Sequence, residues 1–446
     1  MNHERRVDMP YKAFTLPRGM RDIDQIETAK REWLFDKIAR VAEKYGFQRV
    51  DPSPIEKLET LEAKSGPAIK DEIYCFKDKA GRDLGLRFDL TVGMTRMVAS
   101  RRDLPQPIKL YAISGMWRYD EPQFARYRYF HQWDMEIYGS ESTLADAETI
   151  SASMDILEEL GLHEYEVLIN SRVLMDSFLA SLKLNSEDQR MEALRIIDKV
   201  HKIPREKVVE EFKGLGVNSD CLERLLEFTS MKGPPEKILE ELDSYEVQGH
   251  LMLKGLDALK SLVDDLKAYG KLSKCFLNMG VVRGIDYYDG IVFEAYDKGG
   301  EDVGAILGGG RYDKLGLIYG GTALPATGVA GGVERLMISL DRRGLFPKID
   351  VSPKAYVTIL NDQVKAQSIA LAQLIRRRGV SCDLELKNRP LKKQLEYADS
   401  MGIPYTLILG PREMEKDAVR IRDMKTRRET LVPMRSLEEW IKKIRG

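Results

Sequence analysis

The sequence predicts an α+β body, interrupted by inserted helices and followed by a small α/β unit. Three observations carry the prediction. Strand-like runs cluster between Leu84 and Tyr138 and return between Cys275 and Ala330. From about Asn170 to Tyr269, leucines and charged residues recur at helical spacing while strand signals vanish. Beyond a linker, Phe346 to Pro353, strands and helices alternate. A chain of 446 residues implies two or three domains, and 43% hydrophobic content suffices for large cores.

Trp33, Leu34, Ile38, Val41, Ala42 and Tyr45 recur at three and four residues, a helix that Gly46 ends. Val50 to Ile55 reads as an edge strand cut by Pro52 and Pro54. Leu84 to Thr91 reads as a strand with Arg87, Asp89 and Thr91 on one face. Lys109 to Asp120 and Arg128 to Tyr138 form a hairpin, and Thr143 to Leu160 an amphipathic helix. After the helical stretch come strands at Cys275–Leu277, Tyr287–Ala295 and Thr327–Ala330, then a helix from Glu334 to Leu340. The C-terminal unit reads as strands 355–360, 381–386, 404–410, 418–424 and 428–433 with helices 362–378, 390–401 and 436–445, on a mostly parallel core.

Charge nearly cancels, 70 basic residues against 71 acidic. From Lys354 onward, however, 20 basic residues face 12 acidic ones, +8 on a chain of net −1. A basic unit on an acidic body suggests a nucleic-acid-facing module. Cys75, Cys221, Cys275 and Cys382 lie far apart with no CxxC pair, which argues against a zinc site or a disulfide framework. No apolar run approaches membrane-spanning length and the polar N-terminus has no secretory pattern, so a reducing cytoplasm is expected.

The hairpin is the most informative stretch. On its return strand Gln132, Asp134 and Glu136 share one face, while Trp133, Met135 and Ile137 share the other. Amide and carboxylates on a packed floor build a polar pocket, and Arg118 and Arg126 at its mouth suit a phosphate-bearing ligand. Three further segments set glycines around an arginine: Val281 to Gly290, Gly308 to Asp313, and Thr327 to Leu336. Taken singly, the Gly308–Gly310 run reads as a loop and Gly328–Gly332 as a strand-to-helix junction. No P-loop and no dinucleotide fingerprint occurs.

In their common order these segments resemble the class II aminoacyl-tRNA synthetases, and within them the histidyl-tRNA synthetase family. The hairpin resembles motif 2, the segment reaching Arg335 motif 3, and the first helix with the Pro54 strand motif 1. Arg283-Gly284-Ile285-Asp286-Tyr287-Tyr288 and Gly309-Gly310-Arg311-Tyr312-Asp313 are similar to two signatures peculiar to the histidine enzymes. Arg87-Phe88-Asp89-Leu90-Thr91 looks like the archaeal and eukaryotic branch. Three positions depart from common family patterns: Asp120 for Glu, Asp89 for the bacterial Glu, and Gly93 where Pro is frequent.

The resemblance implies a catalytic core with an antiparallel sheet over 1–169 and 270–345, an inserted helical domain over 170–269, and an α/β anticodon-binding domain over 354–446. It implies ATP with Mg2+, L-histidine and a histidine tRNA as ligands, a homodimer, and a cytoplasmic enzyme with no membrane contact. It assigns Arg118, Arg283 and Arg335 to catalysis. Asp89, Thr91, Gln132, Glu136, Tyr287 and Tyr288, with Arg118 and Arg283, would hold histidine. Arg118, Asp120, Arg126, Tyr127, Phe130 and Arg335 would hold ATP, and Gln123 and Arg126 would meet the tRNA acceptor end. Anticodon contacts would fall among Arg376–Arg378, Lys392–Lys393 and Arg427–Arg428. The rival reading is the regulatory paralogue of an ATP phosphoribosyltransferase, a binding protein that typically lacks the C-terminal domain and degrades the Arg283 segment.

Overall fold

The computed structural model describes residues 14–65, 67–101, 103–200, 204–245, 250–282 and 288–445. The chain divides into two compact units, Met1–Pro347 and Lys348–Gly446. Helix α1 (Gln25–Lys44) opens the first. Asp24 caps it by accepting from the Glu27 N–H at 2.8 Å, and Gly46 follows it with φ of +81°. The expected stripe of Leu34, Ile38, Val41 and Ala42 is buried.

The proline segment forms no strand of its own. Two short strands flank it, β1 (Gln48–Arg49) and β2 (Ile55–Lys57), because each proline removes a ladder donor. Helix α2 (Leu58–Ser65) leads to β3 (Cys75–Lys77) and β4 (Asp83–Leu86), which join β2 in a small sheet of order β2-β4-β3. The strand expected to reach Thr91 stops at Leu86, and Thr91 opens helix α3 (Thr91–Ala99). Asp89 explains the break: its Oδ1 accepts from the Val92 N–H at 3.0 Å, satisfying a donor that a helix start leaves free. Arg87, Asp89 and Thr91 therefore share no strand face. Arg87 is buried; its Nε donates to the Gly115 carbonyl at 2.9 Å, its Nη1 to the Pro52 carbonyl and its Nη2 to Ser114 Oγ.

Strands β5 (Ile108–Trp117) and β6 (Tyr129–Tyr138) form the expected hairpin, with Ser114 opposite Gln132 and Leu110 opposite Glu136. Ser142 caps α4 (Thr143–Glu159), a helix buried on most of its surface. Strand β7 (Tyr165–Ser171) precedes the helices α5 (Arg172–Ser181), α6 (Glu187–Lys199), α7 (Arg205–Gly214) and α8 (Ser219–Ser230). The two-residue strand β8 (Lys232–Gly233) separates these from α9 (Pro235–Ser244) and α10 (His250–Ala268). The helices share one hydrophobic core with the body, from Leu34 through Phe178 and Phe228 to Leu340. Phe178 and Phe228 stack at 3.9 Å between ring centroids.

The body closes with β9 (Cys275–Asn278), β10 (Ile291–Asp297), β11 (Ala305–Arg311), α11 (Leu315–Gly320), β12 (Ala326–Gly332) and α12 (Val333–Arg342). Nine strands form one sheet of order β1-β5-β6-β12-β11-β10-β7-β9-β8, antiparallel from β5 to β7. The Gly308–Gly310 run is a central strand, not a loop. A Cβ at Gly309 would stand 2.1 Å from the Gly328 carbonyl oxygen, so only glycine lets β11 and β12 pair so closely.

The second unit comprises β13 (Ala355–Val357), α13 (Asp362–Arg377), β14 (Cys382–Leu384), α14 (Leu391–Ser400), β15 (Tyr405–Ile408), a short helix α15 (Pro411–Glu415), β16 (Ala418–Asp423), β17 (Glu429–Pro433) and α16 (Leu437–Ile444). Asn361 caps α13 by accepting from the Gln363 and Val364 N–H groups. The sheet order is β14-β13-β15-β16-β17. Its first three strands are parallel and the rest antiparallel, a more mixed sheet than the alternation predicts. Strands β15, β16 and β17 follow one another with no long helix between them, so short connections return them antiparallel.

Candidate active site

Strand parity builds the floor of the site. Gln132, Asp134 and Glu136 on β6 stand beside Gly332, Ala330 and Gly328 on β12, and the latter two beside Gly308 and Gly310 on β11. A row of polar side chains thus borders rows of very small residues, which leaves a trough on the sheet. A cleft of about 810 Å3 opens there, a size typical of small-molecule sites. Asp89, Thr91, Arg118, Asp120, Arg126, Tyr127, Phe130, Gln132, Tyr288 and Arg335 all line it. Residues from β6, α3, the first turn of α12 and the segment that follows β5 meet in this one cavity.

The arginines are held in place. Arg118 Nε donates to the Phe88 carbonyl at 3.0 Å, and its Nη2 to Gln132 Oε1 at 3.2 Å. Its guanidinium lies 5.0 Å from the centroid of the Phe130 ring. Arg335 Nη1 donates to the Ala305 carbonyl at 2.8 Å. Arg126 Nε pairs with Asp120 Oδ2 at 3.0 Å, so the shorter acid at position 120 is spent on orienting the loop arginine. Within that loop Gln123 and Arg126 exchange backbone bonds and Ala125 takes φ of +58°. Gln123 itself is exposed.

Electrostatics favour an anion. Burial lowers the Arg118 pKa and the neighbouring Arg126 adds to the shift, against Asp89, Asp120 and Asp134. Burial likewise lowers that of Arg335, and Arg126 and Arg118 both push the same way. Three guanidinium groups that repel one another in a partly desolvated cleft destabilise the empty site, and a polyanion between them relieves the repulsion.

The carboxylate end is layered. Thr91 Oγ1 lies 2.8 Å from Glu136 Oε1 and 3.5 Å from Asp134 Oδ2. The Tyr312 hydroxyl donates to Glu136 Oε2. Glu136 is fully buried, one layer beneath the side chains that line the cleft, and acts as the acceptor for two hydroxyls. Tyr288 packs over Gly310 and meets Tyr312 edge-on, with centroids 6.4 Å apart. Arg283 and Tyr287 lie outside the described residues.

Asp134 stands where strand parity placed it, whereas Tyr312, Glu294 and Arg195, in this cleft or its lower layer, were given no role from sequence. Parity with Gln132 and Glu136 signalled Asp134. Tyr312 stood within the second glycine signature. Glu294 on β10 and Arg195 on α6 carried no local signal, because only tertiary packing brings them there. Two other motif residues are structural. Arg311 is buried against Asp146, with Nη2 to Oδ2 at 2.8 Å, and binds the Ser140 and Ser142 carbonyls. Gly93 abuts Pro52, where a Cβ would approach to 2.7 Å.

A family model described as histidyl-tRNA synthetase matches residues 19–336, and one described as an anticodon binding domain matches residues 354–444. The histidine–tRNA ligase of Pyrococcus furiosus is 37% identical over 429 residues, covering 95% of this chain and 98% of that protein. The Pyrobaculum neutrophilum histidine–tRNA ligase is 39% identical over 420 residues, 94% of this chain and 97% of that one. A crystal structure of histidyl-tRNA synthetase from Nostoc sp. PCC 7120 superposes with a TM-score of 0.79 at 26% identity, covering 97% of this chain and 99% of that one. With its cleft, its two units and most of its length accounted for in this way, the chain belongs to the histidyl-tRNA synthetase family.

Proposed function

We propose that this chain is a histidine–tRNA ligase: it couples ATP to L-histidine, releases pyrophosphate, and passes the histidyl group to its tRNA, releasing AMP. The observation that carries the reading is the meeting of Arg118, Arg126 and Arg335 in one cleft with an acid-lined floor. The chemistry needs no nucleophilic side chain. A histidine carboxylate oxygen attacks the α-phosphorus and pyrophosphate leaves. The tRNA 3′-terminal hydroxyl then attacks the acyl carbon and AMP leaves. Catalysis on this scheme is alignment of anions plus neutralisation of charge on the phosphoryl group.

Arg118 bridges the α-phosphate and the histidine carboxylate, Arg335 meets the γ-phosphate, and Arg283 adds a second guanidinium at the α-phosphate. Phe130 and Tyr127 offer ring faces to the adenine, beside Arg126 and Asp120. Asp89, Thr91 and Gln132 receive the ammonium group. Glu136, Tyr287 and Tyr288 serve the imidazole, whose buried partners would be left unpaired by an apolar isostere. Gln123 and Arg126 on the hairpin loop face the tRNA acceptor end. Among the described residues no group of three or more His, Cys, Asp or Glu could hold a metal ion. Asp120 and Glu294 line the cleft, and one or two carboxylates are what Mg2+ takes from a protein when phosphates complete its shell.

A homodimer follows from the motif 1 resemblance, and a cytoplasmic location from the tRNA substrate; no helix among the described residues is long and apolar enough to cross a membrane. The regulatory reading is disfavoured by the matched anticodon-binding unit. The deciding experiment is ATP–pyrophosphate exchange with each of the twenty amino acids. Exchange with histidine alone is expected, and no exchange with histidine would refute the proposal.

A further inference from the structure

The segment that precedes α1 lies against the β5–β6 loop and is tied to both of its ends. The Arg128 N–H donates to the Gly19 carbonyl at 3.1 Å, and Arg128 Nη1 donates to the Arg18 carbonyl at 3.4 Å. Arg128 Nε donates to the Asp120 carbonyl at 3.0 Å, so one guanidinium joins the start of the loop, its end and the segment. Arg18 in turn pairs with Glu121. Gly19 takes φ of +80°, and a Cβ there would stand 2.7 Å from Arg128 Cδ and 2.9 Å from Pro122 Cγ. Only glycine lets the segment sit so close.

Arg21 makes the contact that bears on the site. Its guanidinium lies 4.6 Å from the centroid of the Tyr127 ring. Glu27 in the first turn of α1 aims it through a bidentate pair, with Nη1 to Oε2 at 2.7 Å and Nη2 to Oε1 at 2.5 Å. Tyr127 borders the catalytic cleft and also a second cavity of about 350 Å3. Arg21 lines the second cavity and not the cleft. Tyr127 therefore partitions the two, and Arg21 braces it from behind. Asp120 and Arg126 of the same loop line the cleft itself.

We propose that Arg21 is a positioning residue of the adenylation step: it holds Tyr127, and with it the β5–β6 loop, against the cleft before ATP arrives. The inference deepens the ligase reading above and rests on it. A loop that is in place in only a fraction of molecules weakens apparent ATP affinity by that fraction. Arg21 raises the fraction without touching the nucleotide. Bound ATP restores the order by itself, so the effect of losing Arg21 falls on the KM for ATP rather than on kcat.

Arg21→Leu removes the brace and leaves the Asp24 cap of α1 in place. In histidine-dependent pyrophosphate exchange its KM for ATP should rise about 2- to 30-fold, the span of one cation–π contact, while kcat and the KM for histidine hold. Arg21→Lys keeps the charge but not the planar fork, and should fall between. In a Tyr127→Leu background the same change should add nothing to the KM for ATP, because Arg21 then has no ring to hold. Limited trypsin digestion without substrates reads the loop directly: cleavage after Arg126 should quicken in Arg21→Leu, and saturating ATP should slow it again. An unchanged KM for ATP would overturn the inference, as would the full effect persisting in the Tyr127→Leu background. A fall in kcat with both KM values unchanged would mark Arg21 as merely structural and overturn it too. Absence of exchange in the unaltered chain would remove the ligase reading and this inference together. Exchange in the unaltered chain, with equal KM values and equal cleavage rates in Arg21→Leu, would overturn the inference alone.

Discussion

Gly328→Ala probes whether Glu136 must keep its place beneath the cleft. A Cβ at Gly328 would stand 1.4 Å from Glu136 Oε2, 2.3 Å from its Cδ and 2.9 Å from the Met135 carbonyl oxygen. The first two are side-chain atoms, so relief comes by swinging the carboxylate away from Thr91 and Tyr312. Overpacking of this kind costs about 1–3 kcal/mol. For a unit of 347 residues, an unfolding entropy of about 2 cal/mol/K per residue converts that to a fall of about 1.5–4 °C in Tm. Loss of one oriented partner to the ligand should raise the KM for histidine about tenfold to a hundredfold, equivalent to about 1.4–2.8 kcal/mol, with the KM for ATP little changed. Steady-state pyrophosphate exchange against each substrate gives both constants, and calorimetry gives Tm. Gly328→Ala should cost less stability in a Glu136→Ala background than alone, since only the Met135 carbonyl then opposes the methyl, while histidine affinity stays low. An unaltered histidine KM in Gly328→Ala, with the expected loss of Tm, would refute the argument that the Glu136 carboxylate serves the amino acid.

Gly309→Ala should be the more destabilising glycine change, because its Cβ meets the Gly328 carbonyl and Phe293 rather than a movable carboxylate; a smaller loss in urea unfolding than for Gly328→Ala would contradict this. Arg335→Met should depress exchange about 10²–10³-fold, as removal of one charge-stabilising donor typically does, yet lower stability by less than about 1 kcal/mol, since it removes a cation that Arg118 and Arg126 repel. A large loss of stability would recast Arg335 as a structural residue. Asp146→Ala should cost about 3–5 kcal/mol in denaturant unfolding, because it removes the closer carboxylate partner of the buried Arg311 guanidinium; a loss below about 1 kcal/mol would show that Asp313, at 3.2 Å, and the Ser140 and Ser142 carbonyls suffice. Burial pushes the Cys275 thiol up to about 12, above its unfolded value of about 8.5. The folded chain then binds more protons between those two values, so stability should hold below pH about 8.5 and decline as pH rises toward 12. Cys275→Ala should flatten that decline in urea midpoints, and an equal decline would exclude the thiol as its cause.

Local pattern was enough for elements whose neighbours merely confirm them. Period two on β6 placed Gln132, Asp134 and Glu136 on one face, and helical spacing with Asp24 and Gly46 delimited α1. Such signals are legible because pleat and helix pitch are properties of a few consecutive residues. They misled where a distant contact decided. Leu84 to Thr91 alternates like a strand, but Asp89 satisfies the Val92 N–H and turns the chain into α3. Gly308 to Gly310 reads as a loop, yet the absence of side chains is what lets β11 lie against β12. What the sequence determined by itself was the inventory of the site and its chemistry: arginines for phosphate, an amide and acids for an amino acid, in an order that matched a family. What only the tertiary structure decided was depth and company. It set Glu136 beneath the cleft rather than in its wall, joined Tyr312 to it, and carried Arg195 in from α6. Those outcomes depend on register between strands distant in the chain and on a core shared between helices and sheet, and no short stretch of sequence encodes either.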